Sequence, residues 1–158
     1  MTDDTKQLTR EQIAAAALQL VDVPYQHHGR DEVLGLDCAG VLVAAFRRCG
    51  IELREKLPIN YRRLPPESHI RECLTMNFEE RKTTSAEITL EPGAIVHFRF
   101  NRDSEARHLG IAILNRDGEN FDVVHALRAN ARVILEPLAG VLAHATIAGI
   151  HVWPNLRS

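Results

Sequence analysis

The stretch Leu36-Asp37-Cys38-Ala39-Gly40-Val41-Leu42-Val43 decides how the rest of the chain is read. Cys38 stands where a glycine-containing loop gives way to an amphipathic helix. Val41, Leu42, Ala45, Phe46 and Cys49 recur at helical spacing behind it, and Gly50 follows, where a left-handed cap ends a helix. A thiol in the first turn of a buried helix feels unpaired N–H groups and the positive end of the dipole, both of which favour thiolate. A free cysteine otherwise behaves as a small buried hydrophobe. The catalytic reading of Cys38 therefore depends on finding a base elsewhere in the chain.

The chain has 158 residues, a formal net charge of −2 and 25% charged residues of mixed sign. That is the size of one ordinary domain, 1–158, with a core that needs no metal or disulfide. There is no basic stripe interleaved with aromatics, which argues against nucleic acid as a partner. The opening Met1-Thr2-Asp3-Asp4 has no apolar run behind a basic segment, and no later run is long enough for membrane insertion. The expected product is made in the cytoplasm without a signal peptide. Cys38, Cys49 and Cys73 have no metal-like spacing and read as reduced thiols.

Residues 1–8 read as frayed. Thr9-Arg10-Glu11-Gln12 is a capping box, and Ile13, Ala16, Ala17, Leu20 and Val21 continue it as a helix to about Leu20. Pro24 ends that helix, and the loop from Tyr25 carries His27-His28, which read as rim positions because adjacent histidines rarely face one metal site. An insert, 52–91, follows the Cys38 helix. Within it Ile70, Leu74, Asn77 and Phe78 lie at helical spacing, Arg81-Lys82 suit that helix's C-terminal end, and Thr83-Thr84-Ser85 read as a polar loop.

The period then changes to two. Strands are expected at Ala94–Phe100, His108–Leu114, Phe121–Leu127, Arg132–Leu135 and Ala145–Trp153, which makes an α+β domain with an antiparallel sheet of about five strands. Asp117-Gly118 is a hairpin signal. With these as the two turn residues, Gly110 faces His125, and His108 lies one diagonal step away on the same face. Diagonal neighbours of this kind are roughly 7–8 Å apart at Cα, within reach of two imidazoles. His97 alternates with Ile95 and Arg99 and is the competing histidine; His69, His144 and His151 have no evident partner.

An imidazole, with an ordinary pKa near 6.5, is able to hold the proton a thiol gives up and later pass it to a leaving amine. His125 on the far ring nitrogen would orient His108, and the Cys38 N–H at the helix start is a natural oxyanion donor.

These blocks carry a resemblance. Val23-Pro24-Tyr25, Leu36 to Leu42, Cys49-Gly50-Ile51, Pro92 to Phe98, His108 to Ala112 and Val124-His125-Ala126 stand in the same order in NlpC-type, papain-like cell-wall peptidases. The resemblance covers Ile13 to about Pro137. It implies a cysteine peptidase that cuts amide bonds in peptidoglycan stem peptides without a cofactor or metal. Cys38 is then the nucleophile, His108 the base and His125 the orienting residue, with Tyr25 near the thiol or substrate and Asp37 a contact for a substrate amine. Ala39 stands where the family usually has Ser, and Gln26-His27-His28-Gly29 replaces a glycine pair. The insert at Leu57 to Phe78 and the stretch Arg132 to Leu138 resemble the phage-tail and gene-transfer-agent branch, which implies tail-tip or hub proteins as partners and a virion-associated location. The alternatives are another papain-like amidase or acyltransferase, and a structural tail-tip protein that keeps the fold.

Overall fold

The computed structural model describes residues 7–82 and 89–157. In chain order the elements are β1 (Leu8–Thr9), α1 (Arg10–Leu18), β2 (Arg30–Asp31), β3 (Gly35–Leu36), α2 (Cys38–Arg48), α3 (Glu67–Asn77), β4 (Glu79–Arg81), β5 (Ile95–Phe100), β6 (His108–Leu114), β7 (Phe121–Leu127), β8 (Arg132–Pro137), α4 (Leu138–Leu142), β9 (Ala145–Val152) and β10 (Leu156–Arg157). The main sheet has six antiparallel strands in the order β4-β9-β5-β6-β7-β8. The extra strand, β4, lies at its edge. Glu79-Glu80-Arg81 are all exposed and lack apolar alternation, so a charged sheet edge read as the tail of a helix. Arg81 is therefore a strand residue and not a helix-end cation, and α3 stops at Asn77. The polar loop expected at Thr83-Thr84-Ser85 lies outside the described residues, as do residues 1–6 of the segment 1–8 expected to fray.

Leu8 is not frayed. It is fully buried and pairs in parallel with Leu156, which ties the start of α1 to the end of the chain. The capping box at Thr9 and Gln12 closes in both directions, and α1 ends at Leu18 with Gln19 as its C-cap, ahead of a turn that takes a positive φ at Asp22. Helix α2 lays Val41, Leu42, Ala45 and Phe46 on one face of the sheet, against Leu109, Ile111, Val124 and Ala126. The opposite face carries Val96, Phe98, Ala112, Val123 and Ile150. Gly50, with φ 82°, ends α2 as a left-handed cap requires. Phe46 then meets Phe78 edge-to-face and Trp153 at a tilt, at ring separations of 5.3 and 5.6 Å, which anchors the insert to the back of the helix. Among the described residues no helix is long and apolar enough to cross a membrane.

Two glycines set the site. A Cβ on Gly40 would lie 2.0 Å from the Gly29 carbonyl oxygen, so only glycine lets the loop after α1 close over the first turn of α2. A Cβ on Gly110 would lie 2.4 Å from a Val123 methyl and 3.4 Å from the His125 Cβ. The empty position at Gly110 leaves room for the two imidazoles discussed below.

Candidate active site

The β6–β7 register is the one Asp117-Gly118 implies, with Ile111 opposite Val124 and Leu114 opposite Phe121. The turn itself differs. Asn115 and Asn120 close a four-residue loop, Arg116–Glu119, in which Asp117 accepts from the Glu119 and Asn120 N–H groups and Gly118 takes φ 75°. The longer loop is centred on the same two residues, so every strand residue keeps its face.

That register brings His108 and His125 together: His108 Nε2 lies 2.7 Å from His125 Nδ1. His125 Nε2 in turn lies 2.9 Å from Glu136 Oε1 on β8, a residue the sequence reading did not single out. Glu136 stands opposite Val123 and hence diagonal to His125. The chain of contacts fixes the tautomers. A carboxylate only accepts, so His125 donates from Nε2; its Nδ1 then accepts, so His108 donates from Nε2. The nitrogen left unprotonated on His108 is Nδ1, as a base for a thiol requires.

Cys38 comes to the same strand from the helix side. Its thiol donates to the Arg107 carbonyl at 3.6 Å and receives the Leu109 N–H, groups on either side of His108. The ladder between β6 and β7 is registered only from Ile111 onward. The thiol thus fills the position along β6 where the partner strand has left off.

Electrostatics correct one expectation. Cys38 is only 3% exposed, and its thiol is pushed up to about 12, first by burial and then by the Asp37 carboxylate, against the Leu109 N–H and Arg30. The helix start does not outweigh the loss of water, so the resting group is a neutral thiol. His108 is held well below 6.5, first by burial, where its ring lies 4.9 Å from that of Phe100, and then by His125 and His97. Burial lowers His125 as well, and Glu136 opposes that fall. Both shifts favour the uncharged forms, a thiol at Cys38 and a neutral imidazole at His108.

The remaining candidates take definite places. Asp37 is buried and is the N-cap of α2: Oδ1 accepts from the Gly40 N–H at 2.8 Å and from Arg30 at 2.7 Å, and Oδ2 accepts from the Tyr61 hydroxyl. Both oxygens of the residue expected to meet a substrate amine are thus engaged within the protein. Arg30 also pairs with Glu55 at 2.8 Å, and His27 and His28 stack and turn their Nε2 atoms to the Tyr61 carbonyl. Through Tyr61 the insert holds the start of α2. Tyr25, half-buried, pairs with Leu36, and its hydroxyl is raised by burial, then by Asp37 and Cys38. His97 donates from Nε2 to the Ala106 carbonyl at 2.6 Å, so that nitrogen carries a proton and is engaged outside the His108–His125–Glu136 chain.

No protein-family model matches the sequence, and no curated protein matches it. Solved structures do. An NlpC/P60 family protein from Bacillus cereus ATCC 10987 superposes with a TM-score of 0.62 at 16% identity over 94% of this chain. The fold is NlpC/P60-like. A Staphylococcus aureus Mu50 protein described as similar to a lipoprotein of the NLP/P60 family gives 0.57 at 15% identity over the whole chain. This chain spans only 41% and 46% of those two proteins. An N-acetylmuramoyl-L-alanine amidase from Bacteroides uniformis ATCC 8492 gives 0.62 at 14% identity, with 90% of this chain against 97% of that one. At these identities the likeness concerns the fold; the chemistry rests on the residues above.

The tautomer chain makes a prediction about Glu136, which is about a third exposed. Glu136→Ala removes the acceptor that fixes His125 and is expected to lower kcat/KM for peptide hydrolysis about tenfold to hundredfold. Glu136→Gln keeps an acceptor oxygen and is expected to retain most of the rate. In both variants His125 loses the charge that raises it, so its ring titrates at lower pH. Steady-state rates check the size, and an NMR titration of the His125 ring checks the sign.

Proposed function

We propose that the protein is a cysteine hydrolase that cleaves amide bonds in peptidoglycan stem peptides. The observation that carries this reading is the Cys38 thiol bonded to the backbone on either side of His108, with His108, His125 and Glu136 in one hydrogen-bonded chain. His108 Nδ1 takes the Cys38 proton as sulfur bonds to the scissile carbonyl carbon, and the negative charge passes to that carbonyl's oxygen. The Cys38 N–H, in the first turn of α2, is the donor this reading assigns to the oxyanion. Collapse expels the amine, which receives the proton from the His108 imidazolium. Water, deprotonated by the same ring, then hydrolyses the thioester and restores the thiol. The proton shuttles between groups already present, and the reaction needs no metal or cofactor.

The cell-wall substrate is supported by the NlpC/P60-like fold and by a B. uniformis neighbour that is an N-acetylmuramoyl-L-alanine amidase. Delivery by a phage-like tail tip, with hub proteins as partners, is the finer part of the proposal. It is supported by the resemblance of the insert, which includes Tyr61, and of the stretch Arg132 to Leu138 to that branch.

A digest of purified peptidoglycan and of soluble muropeptides, run beside Cys38→Ala and read by mass spectrometry, tests the reading. New peptide ends that appear only with Cys38 intact are expected. Their absence with folded, reduced protein would favour the structural tail-tip alternative.

A further inference from the structure

We infer that the cavity beside Tyr25 is a carboxylate subsite of the same active site, selecting acyl peptides that carry a free carboxylate near the bond that is cut. The inference rests on the hydrolase reading above. The cavity holds about 430 Å³ and is lined by Tyr25, Gln26, His27, Arg62, Arg63 and Arg128. No acidic side chain lines it.

Two separate segments deliver its three guanidiniums, and each is tied to the candidate catalytic residues. Arg128 comes three residues after His125, where β7 ends. Arg62 and Arg63 follow Tyr61, whose hydroxyl bonds the Asp37 cap. Tyr25, which forms the shared wall, pairs with Leu36 two residues before Cys38 and senses the charges of both Cys38 and Arg128. Arginines elsewhere on the surface, Arg47, Arg48 and Arg132 among them, pair with carboxylates. Among the described residues no carboxylate pairs with Arg62, Arg63 or Arg128.

Three like charges gathered around one hollow repel each other, and an anion bound between them relieves that repulsion. The planar fork of a guanidinium matches a carboxylate with two parallel hydrogen bonds. A hollow of this size takes one short side chain, not a polymer. Because its Tyr25 wall is bridged to Leu36, two residues before Cys38, the carboxylate it holds belongs to the peptide being cut. In stem peptides the chemical choice at such a position is a free carboxylate or its amide, and an amide presents an N–H group to arginines that only donate.

The test is a pair of synthetic γ-glutamyl stem peptides that differ only in a free or amidated α-carboxylate. Turnover is measured with the wild-type chain, and binding by calorimetry with Cys38→Ala. The free carboxylate is expected to be preferred roughly tenfold or more in both measurements. A triple Arg62→Ala, Arg63→Ala, Arg128→Ala variant is expected to bring the ratio close to one, and Arg128→Lys to restore part of it. The three residues are exposed, so the variant is expected to fold. Binding preference without turnover would support the subsite and count against the hydrolase. Turnover of both peptides at equal rates, or a preference that survives the triple substitution, would overturn the subsite and leave the hydrolase standing. Neither binding nor turnover of either peptide would overturn both.

Discussion

His108→Ala is expected to lower kcat/KM for peptide amide hydrolysis by about 10³- to 10⁴-fold, the range that removal of a general base and its partners spans. The loss is large because the thiol has no other means of ionising at neutral pH. Burial and Asp37 push Cys38 to about 12, so without an imidazole to receive its proton the sulfur stays neutral and unreactive. The same argument gives a pH signature. His108 is held well below 6.5, so its base form persists on the acid side of the ordinary histidine range, and the acid limb of the wild-type profile falls below 6.5. In His108→Ala that limb disappears, and the residual rate climbs steadily with pH as the thiol begins to ionise on its own. Steady-state kinetics over a pH series, on variants shown by circular dichroism to be folded, check both statements.

The second large effect is on stability. Asp37→Ala removes the cap of α2 and leaves Arg30 and the Tyr61 hydroxyl facing an empty, buried position. Asp37 is 1% exposed and the Arg30 side chain 15%, so water does little to screen the loss. Breaking a buried pair by removing one partner costs about 3–5 kcal/mol. In a chain of this size that lowers Tm by roughly 10 °C or more. Asp37→Asn keeps an oxygen for the Gly40 N–H and is expected to lose less. Thermal melts of the two variants check the order. If both melt like wild type and only substrate binding weakens, Asp37 is a substrate contact after all, and its role in holding the helix start is wrong.

What the sequence showed and what it hid have physical reasons. The register of β6 on β7 was legible because Asp117-Gly118 marks the centre of the turn, and a loop lengthened evenly on both sides leaves the pairing intact. That centring, with Gly110 as the missing side chain, was enough to bring His108 and His125 together. Glu136 was not legible because the next turn depends on Ala131 adopting φ 57°, a conformation an alanine does not advertise. Without that turn the pairing of β8 on β7 has no register to read. The Asp37–Arg30–Tyr61 cluster was hidden for another reason. Tyr61 lies in a stretch of the insert with neither helical nor strand period, so nothing local points it at a helix start 24 residues earlier. The state of the Cys38 thiol was misjudged because position at a helix start is visible in sequence, whereas the depth of burial set by packing on β6 is not.

The central claim is that Cys38 attacks with His108 as its base. Its most direct test is labelling at pH 7 with a stem-peptide chloromethyl ketone, with the site and rate of alkylation read by mass spectrometry. Cys49, which is half-buried, and Cys73, which is buried and also pushed up to about 12, serve as internal controls. The account predicts that the label goes to Cys38 ahead of both and that His108→Ala slows this labelling sharply. Labelling that falls on Cys49 instead, or that proceeds at Cys38 equally fast without His108, would contradict it.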